Sequence, residues 1–220
     1  MLAQIVLFDG FDPLDVIAPY EVLTAGGMVA GGALTVELVS AEGAREVPSG
    51  LGLLSLRAVG VLDPERAELV VVPGAAGRIS DDGGEDTIPA ILGRSLNTPL
   101  PGLLKAAVER PELVMSTVCG GSMVLATAGL ITDRRATTHH LGLDALAGAG
   151  VHAIEARVVD DGDLVTGAGV TSGLDLALYL LERELGPRIA HEVERLFSHE
   201  RRGTVWSARG TIPVSEGLPA

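Results

Sequence analysis

The chain has 220 residues, which is enough for one domain with a substantial hydrophobic core. It carries 29 acidic and 16 basic residues, for a formal net charge of -13. No basic stripe interrupts the acidic excess, which excludes an electrostatic footprint for nucleic acid or anionic lipid. One cysteine, Cys119, excludes an internal disulfide framework and a cysteine-based zinc cluster. We therefore expect neither nucleic acid nor a membrane as a partner.

Two apolar stretches bear on targeting. Residues 1–8 lack a basic region and a small-residue cleavage site, so we expect no signal peptide and a cytoplasmic location. From Leu113 to Thr132, 20 consecutive residues carry no charge, which is long enough to span a membrane. The pair Gly120-Gly121 divides this stretch, and serines and threonines are scattered through it. The pattern therefore predicts a buried strand, a sharp turn and a buried helix rather than a membrane span.

Short apolar runs alternate with amphipathic stretches along the chain. The strand-like runs cover residues 3–8, 34–40, 67–73, 112–118 and 163–169. Helix-like segments begin at Pro13, Pro101, Gly120, Leu141, Ser172 and Pro187. Residues 45–56 indicate a small hairpin, and residues 79–97 an exposed loop with a short helix. This alternation predicts an α/β fold with an open, mostly parallel, flavodoxin-like sheet and helices on both faces.

The chain shows no linker, internal repeat or low-complexity tract. We therefore predict a single domain over residues 1–202. Residues 203–220 contain glycines and prolines with little periodicity, and we expect a C-terminal tail that is flexible or packed on a partner subunit.

Cys119 follows an uninterrupted apolar run and precedes two glycines and a helix-forming segment. Ligands in open α/β sheets bind at the carboxyl ends of the strands, where this residue is expected to lie. A side chain at such a turn projects from the sheet edge, as at a nucleophile elbow. The N-terminus of the following helix is expected to lower the thiol pKa and favour the thiolate. The alternative is a buried cysteine that acts as a small hydrophobic residue.

Three aspartates follow the first strand in the segment FDGFDPLDV, and a thiolate needs such an acid or base to move protons. Asp15 is the best candidate among them, because Pro13 can begin a helix that places Asp15 in its first turn. Apolar neighbours would partly desolvate this carboxylate and raise its pKa. The alternative is an acid that only complements the helix dipole.

Gly74 and two histidines complete the set of candidates. Gly74 follows a central strand, where a backbone N-H could contribute to an oxyanion hole, or the glycine could serve turn geometry alone. His139 and His140 are adjacent, so on an extended segment only one of them can face the cleft. A Cys-His protease dyad would require one of them beside the sulfur. Two histidines and a carboxylate are poorly spaced for a metal site, and we expect none.

Four motifs in this order resemble those of the ThiJ/PfpI superfamily, within the class I glutamine-amidotransferase-like fold, up to about residue 206: LDVIAPYEVL, VVPGAAG, STVCGGSMVLATAGLITDRRATTHH and VVDDGDLVTGAGVTSGLDLALYLLE. They are most similar to those of isocyanide hydratases. The resemblance implies that Cys119 is the nucleophile and Asp15 the acid or base. It also implies a homodimer and no metal or organic cofactor. The oxyanion or substrate-binding candidates are Gly74, Ala75, Gly120 and His139.

The chain departs from the hydratase pattern at two places. The residue after the cysteine is commonly threonine and is Gly120 here, so a hydroxyl is lost. The usual Pro-Gly-Gly is Pro73-Gly74-Ala75 here, which retains a backbone N-H and reduces the freedom of the loop. PfpI-type proteases carry histidine directly after the cysteine, so Gly120 argues against that activity.

The resemblance implies hydration of a small electrophile, an isocyanide, to an N-substituted formamide through a covalent thioimidate. A cofactor-free glyoxalase or deglycase is an alternative, and such enzymes generally use a glutamate on the first helix. Glu21 lies about six residues beyond Asp15, more than one helical turn away. A further alternative is a non-catalytic sensor domain related to AraC-type regulators, which normally also carry a helix-turn-helix domain.

Overall fold

The computed structural model describes residues 1–80 and 82–212 of the chain. The strands in these residues are β1 (Leu2–Leu7), β2 (Thr35–Ser40), β3 (Arg45–Pro48), β4 (Ser55–Ala58), β5 (Gly60–Val61), β6 (Leu69–Val72), β7 (Val114–Val118), β8 (Arg135–Ala136), β9 (His152–Ala153), β10 (Val158–Asp160), β11 (Leu164–Gly167) and β12 (Trp206–Ser207). The α-helices are α1 (Pro13–Val29), α2 (Ile88–Ser95), α3 (Leu100–Val108), α4 (Gly121–Thr127), α5 (Leu143–Gly148), α6 (Ser172–Leu185) and α7 (Pro187–Phe197), and a 3-10 turn covers His140–Gly142.

Eight strands form the central sheet in the order β12-β10-β11-β7-β6-β1-β2-β5. Strand β10 is antiparallel to β11 and parallel to β12, and every other neighbouring pair is parallel. The central strands β6, β7 and β11 are apolar and mostly buried along their length, as strands covered on both faces must be. The predicted mostly parallel α/β sheet is confirmed, and each of the five predicted runs overlaps one of its strands.

Helix α1 begins where the sequence predicts. The side chain of Asp12 caps it by accepting a hydrogen bond from the N-H of Leu14 at 2.9 Å, and Pro13 occupies the first turn. Helix α1 packs against α6 and α7, while α4 packs against α2 and α5. The cap and the packing place the first turn of α1 at the carboxyl edge of the sheet, next to the end of β6.

The predicted hairpin is formed by β3 and β4, which pair antiparallel from Arg45 to Ala58. Strand β12 lies within the segment 203–220, for which we expect a tail that is flexible or packed on a partner subunit. Trp206 pairs with Val159 of β10 and extends the sheet by one strand. A two-residue strand has no periodicity from which to predict it. Residues 213–220 of the expected tail lie outside the described residues.

The uncharged stretch from Leu113 to Thr132 contains β7, a turn at Cys119 and α4, so the predicted strand, turn and helix are confirmed. Among residues 1–80 and 82–212, no helix has the length and apolar character that crossing a membrane requires.

Candidate active site

Cys119 stands at the turn between β7 and α4 with a backbone φ of 54°. This left-handed conformation costs a non-glycine residue about 1–2 kcal/mol, so neighbouring groups must stabilise it. The N-H of Cys119 donates to the carbonyl of Gly167 at 3.1 Å. The hydroxyl of Thr138 donates to the carbonyl of Cys119 at 2.8 Å. The predicted strained elbow is therefore present, and hydrogen bonds from two other segments hold it.

Two glycines allow the elbow to approach the end of β6. A Cβ on Gly121 would lie 2.1 Å from the carbonyl oxygen of Val72. A Cβ on Gly74 would lie 2.6 Å from the backbone nitrogen of Gly120. Neither contact is possible for a larger residue without a backbone shift. The elbow and the β6 loop therefore pack backbone against backbone, which brings Gly74 next to the Cys119 turn.

Asp15 is fully buried in the first turn of α1. Its Oδ2 accepts a hydrogen bond from the N-H of Gly74 at 2.9 Å, and its Oδ1 has no partner among the described residues. Burial, and then the charge of Asp12, raise the pKa of this carboxyl well above 3.8, against smaller lowering effects of Gly74 and Cys119. The predicted rise is confirmed, and Asp15 holds its proton to a higher pH than an exposed aspartate does.

Cys119 is 8% exposed, and its thiol lies beside Asp15. Burial, and then the charge of Asp15, raise the pKa of the thiol, while the N-H of Gly120 lowers it less. The predicted low pKa is wrong, because loss of hydration and the neighbouring carboxylate outweigh the N-terminus of the short helix α4. The resting cysteine is a neutral thiol, and its proton must be removed before the sulfur can attack.

Gly74 and Ala75 have different roles. Because the N-H of Gly74 donates to Asp15, it is engaged in holding the carboxyl and is not free for an oxyanion. The carbonyl of Gly74 accepts a hydrogen bond from the N-H of Asp12 at 2.9 Å, which ties the loop to the start of α1. Within the described residues the N-H of Ala75 has no hydrogen-bond partner. The remaining backbone donors are Gly120, whose N-H interacts with the sulfur, and Ala75, whose nitrogen would lie 3.9 Å from a Cβ on Gly120.

His139 follows Thr138 at the rim of the elbow. Its Nδ1 accepts a hydrogen bond from the N-H of Leu141 at 3.3 Å, which caps the 3-10 turn. Burial, followed by the neighbouring His140, lowers the pKa of His139, so the imidazole is neutral at pH 7. No hydrogen bond in the described part of the chain joins His139 to Cys119, and the Cys-His dyad is not formed.

Sequence reasoning missed three contributors to this site. Ser122, at the start of α4, donates to the carbonyl of Thr137 at 2.6 Å and contacts the Thr117 hydroxyl at 2.6 Å. Thr138 holds the carbonyl of Cys119. Leu92 of α2 reaches over Gly120, where a Cβ would lie 3.3 Å from its Cδ1. A serine or threonine within an apolar run can indicate a buried hydroxyl that supports the site. Nothing in the sequence indicates a role for Leu92. No group of metal-binding side chains is found in residues 1–80 and 82–212.

Similarity to known proteins shows the family to which the chain belongs. The sequence profile of the DJ-1/PfpI family matches residues 1–183, which include both Asp15 and the Cys119 elbow. The chain belongs to the DJ-1/PfpI family. The resemblance to ThiJ/PfpI proteins in the four motifs is thereby confirmed.

Individual members of the DJ-1/PfpI family differ in activity. The isonitrile hydratase of Pseudomonas putida is 34% identical over 191 residues, which is 86% of this chain and 74% of that protein. A glutathione-independent glyoxalase of Caenorhabditis elegans, DJR-1.2, is 25% identical over 179 residues, 80% of this chain and 84% of that one. The crystal structure of Drosophila melanogaster DJ-1beta superposes with a TM-score of 0.74 at 19% identity, covering 90% of this chain and 98% of that chain. This last likeness concerns the fold alone.

Proposed function

We propose that this protein is a cysteine-dependent hydratase that converts isocyanides to N-substituted formamides. The observation that carries the proposal is the pairing of Cys119, on a strained elbow, with a buried Asp15 whose pKa is raised. Such a carboxyl can accept and return a proton at the reacting atoms. The 34% identity to an isonitrile hydratase supports the same reaction class.

The first half of the proposed reaction forms a covalent intermediate. Asp15 accepts the proton of the Cys119 thiol, and the sulfur attacks the terminal carbon of R-NC. Asp15 then returns the proton to that carbon. One S-C bond and one C-H bond form, which leaves the thioimidate R-N=CH-S on Cys119. Because the resting thiol is neutral, the adjacent base is needed for this step.

The second half releases the product. Water attacks the thioimidate carbon while Asp15 accepts a proton from the water and passes it to the substrate nitrogen. The C-S bond then breaks, the remaining hydroxyl proton moves to the sulfur of Cys119, and R-NH-CHO leaves. The balance is one isocyanide and one water per formamide, and no step uses a cofactor or metal.

We assign supporting roles to the residues around the pair. The N-H groups of Ala75 and Gly120 are the donors for charge that develops on the substrate. Gly74 orients Asp15 through its N-H. His139, at the rim, is proposed to contact the substituent of the substrate.

A glyoxalase activity is the second candidate, and the glyoxalase relative from Caenorhabditis elegans favours it. The arrangement of acids on α1 argues the other way. Glu21 is exposed, whereas the acid buried beside the thiol is Asp15. The hydratase is therefore the primary proposal, and methylglyoxal is the substrate that tests the alternative.

The experiment measures formamide formation from cyclohexyl isocyanide and, in parallel, consumption of methylglyoxal. We expect wild-type protein to form formamide and Cys119→Ala to form none. Asp15→Asn should lose about 10²- to 10⁴-fold in turnover, the usual contribution of a general acid-base group. Asp9→Asn is the control, because Asp9 is an exposed acid of the same segment that pairs with Arg45 at 2.7 Å. Turnover of methylglyoxal alone would replace the hydratase with the glyoxalase.

The homodimer and the cytoplasmic location belong to the same proposal, as does the single domain over residues 1–202. Family members resembling this chain supply the expectation of a dimer. Light scattering on the purified full chain measures the assembly directly, and a monomer mass at the concentrations of the turnover assay would remove the dimer from the proposal.

A further inference from the structure

Little space remains above Gly120, the residue that follows Cys119. A Cβ placed on Gly120 would lie 3.3 Å from Cδ1 of Leu92, 3.5 Å from Cα of Gly74 and 3.9 Å from the backbone nitrogen of Ala75. The N-H of Gly120 also interacts with the sulfur. Backbone atoms of Gly74 and Ala75 and one methyl group of Leu92 therefore limit the room for an electrophile that approaches the sulfur over Gly120.

Leu92 is held in this position by its helix. Helix α2 is capped by the hydroxyl of Thr87, which accepts from the N-H of Ala90 at 3.4 Å. Its neighbour Ile91 is 4% exposed and packs against Gly10, where a Cβ would lie 2.4 Å from Ile91 Cγ2. The cap and the packing of Ile91 therefore fix the position of the α2 backbone that carries Leu92.

The size of this space bears on which carbon can reach the sulfur. The terminal carbon of an isocyanide is bonded only to nitrogen, so nothing projects sideways from it. The carbonyl carbon of a ketone carries two carbon groups besides the oxygen, and one of them would project toward Leu92, whereas an aldehyde carbon carries one carbon group and a hydrogen. A single misplaced methylene in a tight apolar site changes selectivity by about 10- to 200-fold.

We propose that Leu92 is a specificity-determining residue that admits an unbranched electrophilic carbon to Cys119 and excludes a branched one. The inference rests on the proposed hydratase function and narrows its substrate class to electrophiles whose reacting carbon carries at most one carbon substituent.

The test uses alkylation of Cys119 so that it does not depend on turnover. Iodoacetamide presents a carbon with one carbon substituent, and 2-iodopropanamide presents a carbon with two. The rate constants for both reagents are measured on the full chain and divided by those for N-acetylcysteine, so that intrinsic reactivity cancels. Taking the ratio of the two reagents also cancels the fraction of thiolate.

In Leu92→Ala we expect the preference for iodoacetamide over 2-iodopropanamide to fall by about tenfold or more. Leu96→Ala is the matched control, because Leu96 ends the same helix, is half-buried and lies outside the space above Gly120. Its preference should stay within about twofold of wild type. If Leu92→Ala does not fold, Leu92→Val removes less volume and should give an intermediate preference.

An unchanged preference in folded Leu92→Ala or Leu92→Val overturns the inference, whether or not isocyanides are hydrated. A lowered preference in a protein that forms no formamide supports the role of Leu92 and overturns the hydratase. The two failures are therefore distinguishable.

Discussion

Burial raises the pKa of both Cys119 and Asp15, and the charge of Asp15 raises the pKa of Cys119 further, whereas a hydrogen bond from Cys119 lowers the pKa of Asp15. Burial disfavours the charge on each group, and ionisation of one disfavours ionisation of the other. In the proposed reaction the pair therefore starts from the neutral thiol, and the proton moves to Asp15. The strained φ of Cys119 is unfavourable for folding, as is the Oδ1 of Asp15, which has no hydrogen-bond partner among residues 1–80 and 82–212.

The variant Asp15→Asn tests how much the buried charge of Asp15 destabilises the folded protein, through the pH dependence of the free energy of unfolding. The folded pKa of Asp15 lies above the unfolded value of 3.8, so the folded state binds more protons between the two values. The free energy of unfolding of the wild type therefore falls as the pH rises through that window. The Asp15→Asn variant has no carboxyl at this position and lacks this fall. We expect Asp15→Asn to unfold a few degrees higher than wild type at neutral pH, since about 1 kcal/mol shifts Tm by roughly 2–4 °C at this size.

The stability measurement is calorimetry over a pH series, with Asp9→Asn as the control. The gain should disappear as the pH falls below 3.8, where Asp15 is protonated in both states. A gain of equal size at every pH would contradict the assignment of the raised pKa to Asp15.

The same variant makes an opposite prediction for the thiol. Removal of the carboxylate charge should lower the pKa of Cys119, because that charge is the second cause of its rise. We therefore expect iodoacetamide to label Asp15→Asn faster than wild type at neutral pH, even though turnover is lost. Slower labelling would show that Asp15 activates the thiol already in the resting state.

At the scale of elements, the elbow depends on hydroxyl groups that join β7, α4 and the segment from Arg135 to His139. Ser122 is fully buried and bridges the hydroxyl of Thr117 to the carbonyl of Thr137. The N-H of Thr137 donates to the hydroxyl of Thr166 on β11 at 2.9 Å. These bonds position Thr138, whose hydroxyl holds the carbonyl of Cys119.

Ser122→Ala should destabilise the protein by about 1–3 kcal/mol, because it leaves the hydroxyl of Thr117 and the carbonyl of Thr137 without their partner. Denaturant unfolding measures this loss. Thr127→Ala is the matched control, since Thr127 is an exposed residue of the same helix, and it should change stability by less than about 0.5 kcal/mol. Equal effects of the two substitutions would remove Ser122 from this role.

At the scale of the whole molecule, the C-terminal segment is bound to residues that are distant from it in sequence. A cavity of about 1060 Å³ lies between α6, α7 and residues 198–207, and Cys119 does not line it. Asp175 of α6 is 2% exposed at its edge. Its Oδ2 accepts from Nε of Arg157 at 2.7 Å, and its Oδ1 accepts from the N-H of Arg202 at 2.7 Å. The carboxylate of Asp175 thus binds both Arg157, which precedes β10, and Arg202, in the segment that leads to β12.

Asp175→Ala should cost about 2–4 kcal/mol, because it leaves the Arg157 guanidinium and a backbone N-H without their acceptor. The release of residues 198–207 should also expose Arg201 and Arg202 to trypsin. Limited proteolysis with mass analysis measures this cleavage, and Asp144→Ala, at an exposed acid of α5, is the control. Cleavage no faster than in the control would contradict the role of Asp175 in holding residues 198–207.

Several elements could be predicted because their signals are local. The ranges of α6 and α7 follow from their apolar periodicity and from Gly186 and Pro187, which mark the end of one helix and the start of the next. The parallel sheet follows from the alternation of apolar runs and helices. Asp15 and Cys119 could be proposed as partners because the carboxyl ends of parallel strands meet at one edge.

The tertiary structure alone decided the chemistry between those residues. The sign of the Cys119 pKa shift, the use of the Gly74 N-H, the position of Leu92 and the pairing of β12 all depend on groups distant in sequence. Desolvation and hydrogen bonding are set by what lies across a few ångströms of space. The sequence by itself therefore determined the fold class and allowed Cys119 and Asp15 to be proposed as the reacting pair, whereas packing decided their protonation and the room above Gly120.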